Sequence, residues 1–141
     1  MTTVTALLHD KSSRSVQTLP SDASVLEAIR LMAEHHIGSV LVTEAGRPVG
    51  IVTERDYARK VILMGRSSAD TRLSDVMSSA VLSVASSDSI EHCMQMMTDH
   101  RIRHLPVLDG GTLAGMVSIG DLLKALLELR QREIEQLQQY I

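Results

Sequence analysis

The sequence predicts an α/β (α+β) protein made of two β-α-β-β-α repeats packed sheet to sheet, with a helix following the second repeat. Three observations predict it: a gapless internal repeat, a switch from helical to strand periodicity inside each copy, and a glycine turn at the same place in both. Laying Asp56 on Asp121 is a shift of 65 residues, and residues 22–56 then fall on 87–121 without a gap. Nine of those 35 pairs are identical, among them Met32/Met97, Gly50/Gly115 and Asp56/Asp121. About two identities would arise by chance at average composition, so the two halves are copies. A length of 141 residues suits one compact domain, or two half-sized units that share a core.

Each element follows from local pattern. A short extended stretch opens each copy, Ser15-Val-Gln-Thr18 and Ala80-Val-Leu-Ser83. Val25, Ala28, Ile29, Met32 and Ala33 then recur at helical spacing, as do Ile90, Cys93, Met94 and Met97. Ser24 and Ser89 stand where N-caps belong. The apolar runs Ser39-Val-Leu-Val42 and His104-Leu-Pro-Val107 read as strands. Turns at Glu44-Ala-Gly46 and Asp109-Gly-Gly111, where Gly supplies a positive φ, fold each run back as a hairpin with Val49–Val52 or Ala114–Val117. Thr53 or Ser118 opens the closing helix. A small sheet with helices on one side leaves its other face apolar, and two copies packed sheet to sheet cover it. These limits give repeats at 14–66 and 76–128, a polar connection at 64–74, and a helical extension at 129–141. In that extension Leu123, Leu127, Ile134, Leu137 and Ile141 follow a 4/3 spacing broken at Arg130. The seam packs on its own module or on a partner chain.

The totals exclude several classes. With no Trp, no Phe and two Tyr, the chain has no aromatic platform for stacking nucleic-acid bases. Net charge is −3 and the Lys and Arg are scattered, which argues against a nucleic-acid or membrane-surface binder. The single Cys allows no internal disulfide, which points to a reducing, cytoplasmic setting. The first ten residues lack a basic leader with an apolar core, so no signal peptide is expected. No apolar run reaches the roughly 18 residues of a membrane helix.

The motif that carries chemistry is Gly-x-x-[Ser/Thr]-x-x-Asp, at Gly50-Ile-Val-Thr-Glu-Arg-Asp56 and again at Gly115-Met-Val-Ser-Ile-Gly-Asp121. It has two readings. Thr53-x-x-Asp56 and Ser118-x-x-Asp121 are each a capping box, with an acidic residue at N3 closing on the N-cap backbone. The same geometry also suits a nucleotide. A helix N-terminus presents unpaired N–H groups and the positive end of a dipole to a phosphate, and the hydroxyl adds a donor. An ionised Asp one turn in accepts two hydrogen bonds from a ribose diol. Gly50 and Gly115 would let a ligand approach the strand closely.

Together the repeated β-α-β-β-α order, the hairpins with Gly46 and Gly111, the run His100-Arg-Ile-Arg-His-Leu-Pro-Val107 and the two Gly-x-x-[Ser/Thr]-x-x-Asp ends resemble the cystathionine β-synthase (CBS) domain. The whole resembles a stand-alone tandem CBS pair, or Bateman module, over about residues 14–128. The resemblance implies a pseudo-twofold disc with a ligand cleft between the repeats. It implies adenosyl ligands, namely AMP, ADP, ATP, NAD(H) or S-adenosylmethionine, and it implies dimers. It assigns the hydroxyl to phosphate and the Asp to ribose: Thr53 and Asp56 in one site, Ser118 and Asp121 in the other. Adenine then lies between the first strand and the hairpin, against Val16, Thr18 and Ile51 or against Val81, Ser83 and Met116. The apolar members of those sets are equally explained as core.

The two sites are expected to be unequal. The resemblance places Arg103 and His104 near the phosphates of the Asp121 site, where the first repeat has the uncharged Gly38 and Ser39, Ser39 being counted among the contacts of the Asp56 site. The first repeat instead carries Arg55, Arg59 and Lys60 on its helix and Arg66 beyond it. Arg55 and Arg59 share a helical face and reach phosphates across a cleft or dimer interface, or form an ordinary solvated face. The Asp121 site is thus expected to be the tighter one for phosphorylated ligands, and a phosphate-binding cation set argues against S-adenosylmethionine.

Other chemistry finds little support. His100 and His104 span a helix end and a strand, so no metal site is expected. Cys93 lies on an apolar helix face beside Met94 and Met97 and reads as a buried, inert thiol. There is no nucleophile–base–acid arrangement, Walker loop or Rossmann fingerprint, so no enzyme and no catalytic residue are expected. Two functions remain. One is a cytoplasmic, homodimeric sensor of adenine nucleotide that reports to an unidentified regulated protein. The other is a structural or oligomerisation module with vestigial clefts that acts through its C-terminal helix.

Overall fold

The computed structural model describes residues 3–10 and 16–140. Ser15 and Ile141, named above, lie outside them. The elements are helix α1 (Val4–Asp10), strand β1 (Thr18–Leu19), α2 (Val25–His35), β2 (Ser39–Glu44), β3 (Arg47–Thr53) and α3 (Glu54–Asp56), which continues as a π-helix over Tyr57–Ile62. Then come α4 (Leu73–Val76), α5 (Ile90–His100), β4 (His104–Asp109), β5 (Thr112–Ser118) and α6 (Ile119–Gln138). The mixed α/β class and the long C-terminal helix stand as expected. Among the described residues no helix is long and apolar enough to cross a membrane.

The chain divides into two compact units. The first holds Val16–Leu82 with Gly111–Leu113. Its sheet has the order β1-β2-β3, with β1 parallel and β3 antiparallel to β2. Val40, Val42 and Val52 pack against Val25, Ala28 and Met32 of α2, with Val61, Leu73 and Val76 completing the core. Each Val, Leu or Met side chain of that set stabilises by about 1.5–3 kcal/mol before ordering costs. Ser24 caps α2 in a full capping box with Glu27. Residues 64–74, expected to be a plain polar connection, instead dock on that helix start. Thr71 and Ser68 offer carbonyls to the Val25 and Leu26 N–H groups at 2.8 and 3.0 Å, which satisfies donors that no helix can satisfy internally.

The second unit holds Ser83–Gly110 and the chain from Ala114 onward, with the N-terminal segment. Ile90, Cys93 and Met97 of α5, Leu105 and Val107 of β4, Val117 of β5, and Leu122 and Ala125 of α6 are among its buried residues, joined by Val84 and by Val4 and Leu7 of α1. The stretch Ala80–Ser83 forms no strand. Only Val84 bridges β4, at Val107, as Leu19 pairs Val42 in the first unit. The extended segments therefore begin later than expected in both copies.

The copies correspond in detail. His36 and Arg101, 65 residues apart, both end their helices at φ 54°. Ala45-Gly46 and Gly110-Gly111 both turn the hairpin with two successive positive φ values, the backbone twist a two-residue hairpin needs. A second correspondence has a different shift. Helix α4 lies between the two repeats in sequence yet packs on the first, and α1 lies ahead of both yet packs on the second. Arg72 bridges Ser24 as Thr3 bridges Ser89. The Leu73 and Ser74 N–H groups reach the Ala23 and Ser21 carbonyls at 2.9 and 3.0 Å, as those of Val4 and Thr5 reach Asp88 and Ser86 at 2.9 Å each. That correspondence runs at 69 residues, not 65.

Candidate functional site

Each motif ends a strand and opens a helix. At Thr53, extended backbone (φ −119°, ψ 167°) gives way to α3. The Asp56 N–H donates to Thr53 Oγ1 at 3.2 Å, and the Thr53 N–H donates to Asp56 Oδ2 at 2.9 Å. The Thr53 hydroxyl lies 3.1 Å from the same Oδ2. At Ser118 (φ −105°, ψ 163°) the same reciprocal pair forms, at 3.1 and 2.8 Å with Asp121. The capping-box reading is thus realised in both copies. It does not exclude a ligand, because each hydroxyl and carboxylate keeps further acceptor capacity.

The next N–H group of each helix is also placed alike. Glu54 donates to the Gly38 carbonyl at 3.1 Å and Ile119 to that of Arg103 at 2.9 Å. Arg103 therefore helps to cap α6 through its backbone, and its side chain is exposed. His104 begins β4 and is half-buried.

The sheet register gathers the expected residues of the first site. Thr18 pairs Leu41, Leu41 pairs Ile51, and Ser39 pairs Thr53. Rows of paired residues share a face, so Thr18, Ile51, Ser39 and Thr53 lie on one face, opposite the Val40, Val42 and Val52 core. Leu41, which the sequence did not single out, is the fully buried centre of that face. Its only sequence signal was its place in the run Ser39–Val42. Val16 lies two residues before β1 and is half-buried. Ser39 is only 4% exposed, and its hydroxyl has no hydrogen-bond partner. A buried, unsatisfied hydroxyl costs about 1–3 kcal/mol and is unusual enough to ask what occupies it.

Two expectations need correction. Gly50 and Gly115 were read as letting a ligand approach. A Cβ at Gly50 would instead collide with Met77 Sδ, and one at Gly115 would come within 2.6 Å of Leu8 Cδ2. Gly50 also shares the core-facing row with Val42 and Val52. Both glycines make room for the chain's own side chains. In addition, Lys60 was read only as part of a basic face. Its Nζ lies 3.1 Å from Asp56 Oδ1 and donates to the Val76 carbonyl at 2.8 Å.

Arg55, Arg59 and Arg66 are exposed. In the second copy Ser83 and Met116 are half-buried, and Val81, also half-buried, falls within the Val16–Leu82 unit. An open groove of about 620 Å³ has walls from Ile29, Met32, Ala33, His36, Ile37, Gly38, Glu54 and Tyr57. None of the expected nucleotide contacts lines it. Among the described residues no group of three or more His, Cys, Asp or Glu is placed to hold a metal. Burial, and then the Asp88 charge, push the Cys93 thiol up to about 11, which makes it unreactive.

Fold and site together define a tandem-repeat module in which two strands each run into a helix capped by a hydroxyl and an aspartate. The chain belongs to the CBS-domain family: the CBS domain model matches residues 8–63 and 73–128. It is 39% identical over 126 residues to the CBS domain-containing protein CBSX3, mitochondrial, of Arabidopsis thaliana, covering 86% of this chain and 61% of that protein. The chain thus spans less than two thirds of that relative's length. Among solved structures, a protein with CBS domains from Burkholderia ambifaria MC40-6 is 50% identical with a TM-score of 0.85, covering 90% of this chain and 95% of the other. The CBS domain protein PAE2072 of Pyrobaculum aerophilum, solved in complex with AMP, is 28% identical with a TM-score of 0.79, covering 92% of this chain and 99% of that one.

Proposed function

We propose that this chain is a regulatory module that binds adenosine nucleotides carrying phosphate: AMP, ADP, ATP or NAD(H). The observation that carries this reading is the pair of equivalent strand-to-helix caps, Thr53 with Asp56 and Ser118 with Asp121. Phosphate sits near the N-terminal ends of α3 and α6, where the helix dipole favours an anion. Asp56 and Asp121 take the ribose hydroxyls. Thr18 and Ile51 flank adenine in the first site, and the orphaned Ser39 hydroxyl gains a partner there. Ser83, Met116 and Val81 serve adenine in the second site, with Arg103 and His104 toward the phosphates. Arg55, Arg59 and Arg66 supply further positive charge. The AMP complex of the Pyrobaculum protein supports the ligand class. Signalling to a regulated protein requires the nucleotide to prefer one conformation or assembly, such as one state of a homodimer.

The test is calorimetric titration with AMP, ADP, ATP, NADH and S-adenosylmethionine, beside mass spectrometry of any ligand released from the purified protein. Saturable binding of a phosphorylated adenosine, lost on changing Asp56 and Asp121 to Ala, is the expected result. S-adenosylmethionine alone binding, or nothing binding, overturns the reading. A second reading, an oligomerisation module, is favoured by α6, on which Leu127, Ile134 and Leu137 are all exposed.

A further inference from the structure

Helix α6 carries two apolar stripes, and its own unit uses one of them. Leu122 and Ala125 are buried and Leu126 and Leu129 half-buried, where α6 packs on α5 and α1. At 3.6 residues per turn these four lie within about 100° of the helix circumference. The stripe ends at Leu129, since every residue from 131 to 140 is exposed. Leu123, Leu127, Ile134 and Leu137 form the second stripe, centred about 110° from the first. They are exposed by 46, 70, 49 and 68%. The 4/3 seam of the sequence is therefore not what holds α6 to its own unit. Beyond Leu129 the helix continues to Gln138 with no core under it. A helical stretch that short is marginal by itself, and its seam has the repeat that helices present to one another.

The one charge on the seam selects the partner and its direction. Arg130 stands between Leu127 and Ile134 and ion-pairs with Glu133 of its own helix at 3.2 Å. A parallel second copy would set Arg130 against the partner's Arg130, two like charges on a closing seam. An antiparallel copy centred on Arg132 sets Leu127 opposite the partner's Leu137. It sets Arg130 opposite the partner's Ile134 and next to the partner's Glu133. The leucines then cover one another, and each arginine stem lies along an isoleucine with its head in water. The Arg130 and Glu133 charges cancel across the axis. Each helix end also meets the opposite pole of its neighbour's dipole. The arrangement reads the same from either copy, as a twofold dimer requires.

We propose that α6 is a pairing helix, which joins two copies of this chain in an antiparallel contact along Leu127, Arg130, Ile134 and Leu137. The pairing holds whether or not the clefts bind nucleotide. It gives the final turns of α6 the apolar cover that their own unit does not supply.

Mild oxidation of the full chain carrying both Leu127→Cys and Leu137→Cys, read on a non-reducing gel, tests the pairing. The two positions are ten residues apart in one helix, about 15 Å, too far for a disulfide within the chain. The native Cys93 is buried. Conversion of most of the chain to covalent dimer is expected. Leu127→Cys alone and Leu137→Cys alone are each expected to stay single chains, because each cysteine then faces a leucine, and mixing the two variants is expected to restore the link. Arg132→Cys, exposed on the opposite side of the helix, is expected to stay single as well. These positions are all exposed, so the substitutions leave the core untouched. No covalent dimer in the double variant or the mixture overturns the pairing. Linking of either single leucine variant with itself marks a parallel copy and overturns the antiparallel arrangement. Linking of Arg132→Cys to the same extent as the double variant marks chance collision and overturns the pairing too.

Discussion

Leu8 of α1 sits directly on Gly115 of β5, so that an added Cβ would lie 2.6 Å from Leu8 Cδ2. The same relationship holds between Met77 and Gly50, where the Met77 Cγ and Cβ also crowd the position, at 2.8 and 3.1 Å. Overpacking of this kind costs about 1–3 kcal/mol. Gly50→Ala and Gly115→Ala are both expected to lower the urea midpoint. Gly50→Ala should cost more, because atoms near the Met77 backbone must move as well as its flexible end. Leu8→Ala in the Gly115→Ala chain should recover part of the loss, a coupling that a double-mutant cycle measures. Additive losses would mean that the glycine is needed for another reason.

The cap hydroxyls have a stability role separate from any ligand. Thr53→Ala and Ser118→Ala are each expected to cost about 1 kcal/mol, the usual value of an N-cap. Thermal melts with and without AMP separate the two roles. A purely structural cap lowers both melts equally, whereas a phosphate contact also shrinks the shift that AMP produces.

The two aspartates should not be equivalent. Asp121→Ala is expected to remove more AMP affinity than Asp56→Ala, since Arg103, with His104 next to it, bonds the start of the helix that carries Asp121, where the first copy has the uncharged Gly38 and Ser39. Separate titrations of the single variants check this, and equal losses would remove the asymmetry.

Ser86 donates its backbone N–H and its hydroxyl to the Asp109 carboxylate at 3.0 and 2.8 Å, and Ser21 donates both groups to Glu44 in the same way. These bonds hold both carboxyls below their ordinary values. A depressed carboxyl stabilises the fold above its ordinary value, and that contribution is lost as pH falls through the depressed one. Acid is therefore expected to lower the melting temperature below about pH 4, the ordinary carboxyl range. Asp109→Asn should blunt that drop and leave the neutral-pH slope unchanged.

Cys93 titrates in the opposite sense. Its thiol is raised to about 11 by burial and by Asp88, so the neutral form is favoured in the fold. The stability this gives is complete below the ordinary thiol value and fades as pH rises toward the raised one. At pH 8 a thiol reagent should label the native chain only at the rate of opening, and label urea-unfolded chain at once. Rapid native labelling would place Cys93 in contact with solvent.

Much of the fold was legible because the signals are local. Ser24 and Ser89 read as caps from residue type alone, and Gly46 and Gly111 read as turns because a positive φ selects glycine. The 65-residue register survived because burial at a helix or strand face is periodic in sequence. The first strands were misplaced because the Thr18–Leu19 pairing and the single Val84 bridge are too short for any periodicity to show.

The sequence by itself determined the two copies, their hairpins and the hydroxyl–aspartate caps, each set by residues within a few positions of one another. Tertiary structure decided the rest. It put α1 on the second unit and α4 on the first, at a shift of 69 residues that the 65-residue register hides. It gave Gly50 and Gly115 to Met77 and Leu8, left the Ser39 hydroxyl unpaired, and brought Lys60 onto both Asp56 and the Val76 carbonyl. Most of these are contacts between segments distant in the chain, and even the near Lys60–Asp56 pair looks in sequence like an ordinary i,i+4 surface pair. Residue spacing carries the information for a local turn or cap, but not for which distant atom a side chain finally meets.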